Sequence, residues 1–201
     1  MRVVLLTTLA LTGCHAATTT PPAAGGLTVH VAVAAAPTTG DVAIASVALH
    51  LAELHAVSDR SAVDPRAAAS DVELALGDTT DLTLVSAPPG LYSAVDALLG
   101  SSADTGLDVQ AVWHTARVHA TLVSTPFDVG CATPVRLDPG QRARLDVMID
   151  PAGWFAALDL ASATSDPDDA GIVISPDDNR PLATALLANV MASFSLECAP
   201  E

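Results

Sequence analysis

From Leu27 onward the chain alternates with a period of two. Leu27, Val29, Val31 and Val33 interleave with Thr28, His30 and Ala32; Val72, Leu74 and Leu76 follow; Leu82 and Leu84 interleave with Asp81 and Thr83. In a strand successive side chains point to opposite faces, so this spacing predicts strands with one face on a core. Ala143, Leu145, Val147 and Ile149, alternating with Arg142, Arg144, Asp146 and Met148, predict another. In the run Val42 to Val57 the apolar positions are Val42 and Ile44, then Val47, Leu49 and Leu51; the phase switch near Ala45 and Ser46 predicts a β-bulge. Leu91 to Leu99, Val109 to Val123 (broken near His114) and Val135 to Asp138 complete the strands.

Two corners join apolar runs, Pro88-Pro89-Gly90-Leu91 and Asp138-Pro139-Gly140-Gln141. Each puts Pro, with φ already near −65°, before Gly, which accepts positive φ, as a type II turn requires. Two helices are expected. A short one runs from Pro151 through Trp154 and Phe155 to Leu158. A longer one lies between Pro181 and Ser195, with Leu182, Leu186, Val190 and Phe194 at every fourth position. Ser58 to Ser70 and Ser162 to Gly171 read as loops. The expected fold is mainly β, an antiparallel β-sandwich of about eight strands with the C-terminal helix packed on it.

Composition narrows the function. The chain has 201 residues, 23 acids against 8 basic residues that are all arginine, and a formal charge of −15. Nothing in that balance offers an electrostatic footprint for nucleic acid, which is excluded as a partner. Of the acids 19 are Asp, a turn and cap former, and 14 Pro with 12 Gly supply chain reversals, so the 39 alanines do not argue for a helical bundle.

The N-terminus has its own logic. Met1 and Arg2 precede an apolar stretch, Val3 to Leu11, and then Leu11-Thr12-Gly13-Cys14. Roughly 11 apolar residues cover only about half of a ~30 Å hydrocarbon core, as a signal segment does and a stable span does not. The tetrapeptide resembles the lipobox of bacterial lipoproteins. That resemblance implies cleavage after Gly13 and acylation of Cys14, with residues 1–13 as signal peptide. Two or three acyl chains, at about 0.8 kcal/mol per buried methylene, would hold the protein at the membrane. His15, where an Asp would signal inner-membrane retention, points by the same resemblance to the outer membrane. Residues 14–26, rich in Thr, Pro, Ala and Gly, read as the lipidated Cys and a tether, and 27–201 as the domain. Because Arg2 leaves with the leader, the mature chain is one charge more negative.

With Cys14 assigned to lipid, Cys131 and Cys198 remain, an even pair that an oxidising envelope would join in a disulfide. The segment Leu84-Val-Ser-Ala-Pro-Pro-Gly-Leu-Tyr-Ser-Ala-Val95 resembles lipoprotein domains with a transthyretin-like or carbohydrate-binding-like sandwich, which implies architecture and no particular ligand.

Signatures of catalysis are sparse. G-x-S-x-G, H-E-x-x-H and a phosphate-cradling glycine loop are all missing from the sequence. His50 with His55, and His114 with His119, form two H-x4-H pairs; an odd step puts the two rings on opposite faces of a straight strand, leaving a cross-strand site such as His50 with His114. Asp166, Asp168 and Asp177 fall at positions one, three and twelve of a calcium-loop pattern with Gly171 at six, but Ala170 replaces the third oxygen ligand. These features describe a lipid-anchored envelope lipoprotein acting as a non-catalytic binding module, without a cofactor. The alternative is an envelope hydrolase or metal-dependent module using the acidic loops. Trp113, Trp154 and Tyr92 are the test of an aromatic ligand platform.

Overall fold

The computed structural model describes residues 25–35, 40–59, 71–100, 105–165 and 171–201. Eleven strands are described: β1 (Gly25–Val33), β2 (Val42–Ser58), β3 (Asp71–Leu74), β4 (Thr79–Ala87), β5 (Gly90–Leu99), β6 (Leu107–Trp113), β7 (Ala116–Leu122), β8 (Thr125–Leu137), β9 (Arg142–Ile149), β10 (Ile172–Ile174) and β11 (Phe194–Pro200). One helix, α1 (Arg180–Ala192), precedes β11. The mainly β class with a C-terminal helix holds; the expectation of about eight purely antiparallel strands does not. The strands form one continuous path, β10-β7-β6-β2-β5-β8-β11-β9-β1-β4, with β3 on β2.

The path is mixed. β1 runs parallel to β9 over eight residue pairs from Gly26–Arg142 to Val33–Ile149, and β10 with β7 and β11 with β8 are also parallel. Partners so far apart in sequence leave no local signal, whereas an antiparallel neighbour announces itself through a short turn. Residues from both arms of the path, among them Val29, Leu145, Leu51, Val95, Val109 and Ala120, are buried in one apolar cluster, so the arms enclose a shared core in a sandwich-like arrangement.

β8 links the arms. Tyr92 faces Val135 and Ala94 faces Gly130, so residues 131–134 bulge from the β5 ladder. At that point Cys131 pairs with Leu196 of β11 and is disulfide-bonded to Cys198, Cα to Cα 5.9 Å. The bulge turns what the sequence presents as a loop into the crossing between the two arms.

Several local expectations hold. The register of β2 on β6 shifts between Ile44 and Ser46, the expected bulge, and β6 and β7 meet at the His114–Thr115 turn. Gly140 has φ of +78° and Gln141 N–H donates to the Asp138 carbonyl at 3.0 Å, closing the expected turn. The other corner differs: Gly90 is not in the positive-φ region and already belongs to β5. Its lack of a side chain serves close approach instead, since a Cβ there would lie 3.2 Å from Asp59 Oδ1. The Tyr92 hydroxyl donates to the Pro88 carbonyl at 2.7 Å and ties the corner down.

The helices are shorter than expected. Pro151–Gly153 is a single 3-10 turn, capped by Asp150, whose Oδ1 accepts from Ala152 N–H at 2.9 Å; positive φ at Ala157 stops any continuation. α1 buries Ala183, Leu186 and Val190 along one stripe and ends at Ser193. Phe194, which fits the four-residue spacing, instead begins β11, with Phe194, Leu196 and Cys198 alternating as a strand does. Asn189 Nδ2 donates to the Trp154 and Ala156 carbonyls, fastening the 3-10 turn to α1.

Candidate functional site

The residues that shape the main groove trace back to a second bulge in β2. Between Ala52 and His55 the register on β5 shifts by one residue, with Glu53 at a φ of 52°. Ala52 and Leu54 are both buried around it. Before the bulge Leu49 and Leu51 face the core; after it Leu54 and Ala56 do. The extra residue flips the phase, so His50 and His55, five apart, share the outward face, where a straight strand would separate them.

That face continues across the sheet. His55 lies opposite Asp96 of β5, and Asp96 opposite Asp128 of β8. Glu53, His55, Val57, Ala94, Asp96, Leu98, Pro126 and Asp128 are the alternate residues of three adjacent strands, and together with Ala97 and Phe127 they line an open groove of about 700 Å³. Glu53, Asp96 and Asp128 are exposed and His55 is half-buried. Asp96 and Asp128 stand directly opposite on neighbouring strands, so their Cβ atoms are about 5 Å apart. The groove therefore combines a carboxylate rim with an apolar floor at Val57, Leu98 and Pro126.

The residues singled out in the sequence are distributed elsewhere. Cys14 and the leader, and Asp166 and Asp168 of the calcium-loop pattern, lie outside the described residues. Asp177 is exposed in a turn before α1, where its N–H and that of Asp178 donate to Ser175 Oγ at 3.2 and 2.9 Å. His114 sits in the β6–β7 turn beside Val42, eight residues along β2 from His50, roughly 26 Å at strand rise, so the two do not form a cross-strand site. His119 contacts Asp108 at 2.9 Å. Among the described residues no three His, Cys, Asp or Glu side chains are placed to share a metal ion. Tyr92 and Trp154 are fully buried, Trp154 with its indole N–H on Ser193 Oγ at 2.9 Å, and half-buried Trp113 packs against the core; the three make no platform.

Asp96, Asp128 and Glu53 carry no motif, and the sequence reading passed over them. One signal was available: Leu51 and Leu54, three apart within a strand of period two, mark the bulge.

No protein-family model matches the chain, and no curated protein matches it in sequence. Among solved structures it is similar to MbnP from Methylosinus trichosporium, with a TM-score of 0.50 and 11% identity, over 87% of this chain and 98% of that one. At that identity the likeness is one of fold.

Proposed function

We propose that this protein is a lipid-anchored envelope lipoprotein whose domain is a non-catalytic binding module, with the groove over β2, β5 and β8 as its ligand site. The lipobox Leu11 to Cys14 and the tether after it support the anchor, and His15 favours the outer membrane. The observation that carries the binding reading is the facing pair Asp96 and Asp128, with Glu53 beside them, around one open groove. Such a rim attracts a positively charged ligand, an amine or guanidinium, whose apolar part lies on Val57, Leu98 and Pro126.

Agmatine, which carries both cationic groups on a short apolar chain, is a suitable probe. Titrated into isotope-labelled protein, it should shift the amide signals of Glu53, His55, Asp96 and Asp128, and the shifts should vanish in Asp96→Asn/Asp128→Asn. Absence of shifts, or shifts spread over every acidic surface alike, defeats the groove assignment. The anchor is tested separately: Cys14→Ala should move the protein from the membrane to the soluble fraction.

A further inference from the structure

The described structure begins where the tether ends, and the residues around that point carry a local charge unlike the rest of the molecule. Gly26 pairs with Arg142, its N–H donates to the Gln141 carbonyl at 3.0 Å, and a Cβ on it would lie 3.4 Å from Arg142 Cγ. The chain thus enters the domain against the turn that joins β8 to β9, two strands that β11 separates in the sheet. Of the five arginines among the described residues, Arg136, Arg142 and Arg144 flank this turn. Arg142 is exposed and forms no ion pair among the described residues; Arg136 is 64% exposed and lies 3.9 Å from Asp138. Arg144 is engaged: its Nε donates to Asp146 at 2.6 Å, and that bond raises its pKa above the ordinary value. The acids at this end are Asp138, Asp146 and Asp81, which act on Arg144, Glu201, whose N–H donates to the Arg142 carbonyl, and Asp59, which accepts from Leu91 N–H. Three arginines therefore stand against five acids here, whereas the other described residues set two arginines against thirteen acids.

Geometry makes this the end nearest the lipid. Ten residues lie between Cys14 and Gly25, so the anchor lies within at most about 40 Å of this turn. The opposite end is set by β2, which reaches from Ser58, beside Tyr92, to Val42, beside Trp113, a span of up to about 50 Å.

We propose that the β8–β9 turn docks on the bilayer, with Arg136 and Arg142 on lipid phosphates, so that the lipid-anchored domain stands upright with its groove facing sideways above the surface. This rests on the lipid-anchor reading above. The other described faces carry an acid excess that headgroup phosphates repel. The excess is smallest at this end, and once tethered its two exposed guanidiniums meet phosphate at high effective concentration. Residue Asp96 lies five positions along β5 from Leu91, the partner of Arg136, which puts the groove roughly 16 Å above the headgroups.

The test uses acylated, isotope-labelled protein in nanodiscs of phosphatidylcholine and phosphatidylglycerol doped with a lipid bearing a paramagnetic headgroup. Amide signals of residues 138–142 should broaden several-fold more than those of 113–117, and Arg136→Glu/Arg142→Glu should bring the two sets level. Equal broadening in the parent protein overturns the proposal, as does a difference that survives the charge reversal. The mass of the Cys14 peptide reports acylation independently. Should it be unmodified, the lipid-anchor reading fails, and the same measurement with Cys14 coupled to a maleimide lipid still decides the orientation.

Discussion

Glu53 holds a backbone φ of 52° within a strand, a region where an L side chain costs about 1–2 kcal/mol and glycine costs nothing sterically. A carboxylate kept there at that cost, on the rim of the groove, belongs with residues that serve a site more than a fold. Glu53→Gly should accordingly stabilise the protein by about 1 kcal/mol in urea unfolding while weakening agmatine binding. An unchanged midpoint would mean that the bulge geometry is not strained. Tyr92 presents the opposite case, a buried ring whose hydroxyl is spent on structure: it donates to the Pro88 carbonyl at 2.7 Å. Tyr92→Phe should cost about 1 kcal/mol of stability without altering the groove shifts, since the ring stays and only the hydrogen bond is lost.

At the level of elements the junction of the two arms depends on β8 and β11, whose ladder records the single pair Cys131–Leu196, with the disulfide beside it. β11 is held independently by seven antiparallel pairs to β9, so loss of the disulfide should loosen β8 at residues 131–134 and leave β11 in place. Cys131→Ser/Cys198→Ser should lower stability by about 4 kcal/mol from released loop entropy across 67 residues, with amide exchange rising first at 131–134. Faster exchange along β9 and β11 instead would show that the disulfide supports the whole arm. The pairing of Cys131 with Cys198 was legible because cysteines are countable. The strands of β1, β4, β5 and β9 were legible because their burial alternates. The parallel registers were not, since nothing near Gly26 in sequence names Arg142 as its partner. β11 was hidden because Phe194 continues the four-residue spacing of Leu182, Leu186 and Val190, and the groove acids because a carboxylate on a solvated strand face looks the same with or without a ligand.

Across the whole molecule the acid excess acts in two directions that salt separates. Among the described residues 18 acids stand against 5 arginines, so the folded state bears the self-repulsion of a chain at −15. Sodium chloride shortens the screening length from about 30 Å at 0.01 M to about 8 Å at 0.15 M, so it should relieve that repulsion and raise the melting temperature by a few degrees. The contact of Arg136 and Arg142 with phosphate is an attraction and is screened by the same ions, so the difference in paramagnetic broadening between the two ends should shrink over the same range. Stability and orientation should therefore respond to salt with opposite signs in one sample. A melting temperature that falls as salt is added would mean that pairs such as Arg144–Asp146 and His30–Asp81 outweigh the repulsion, and that the acidity is balanced locally within the fold.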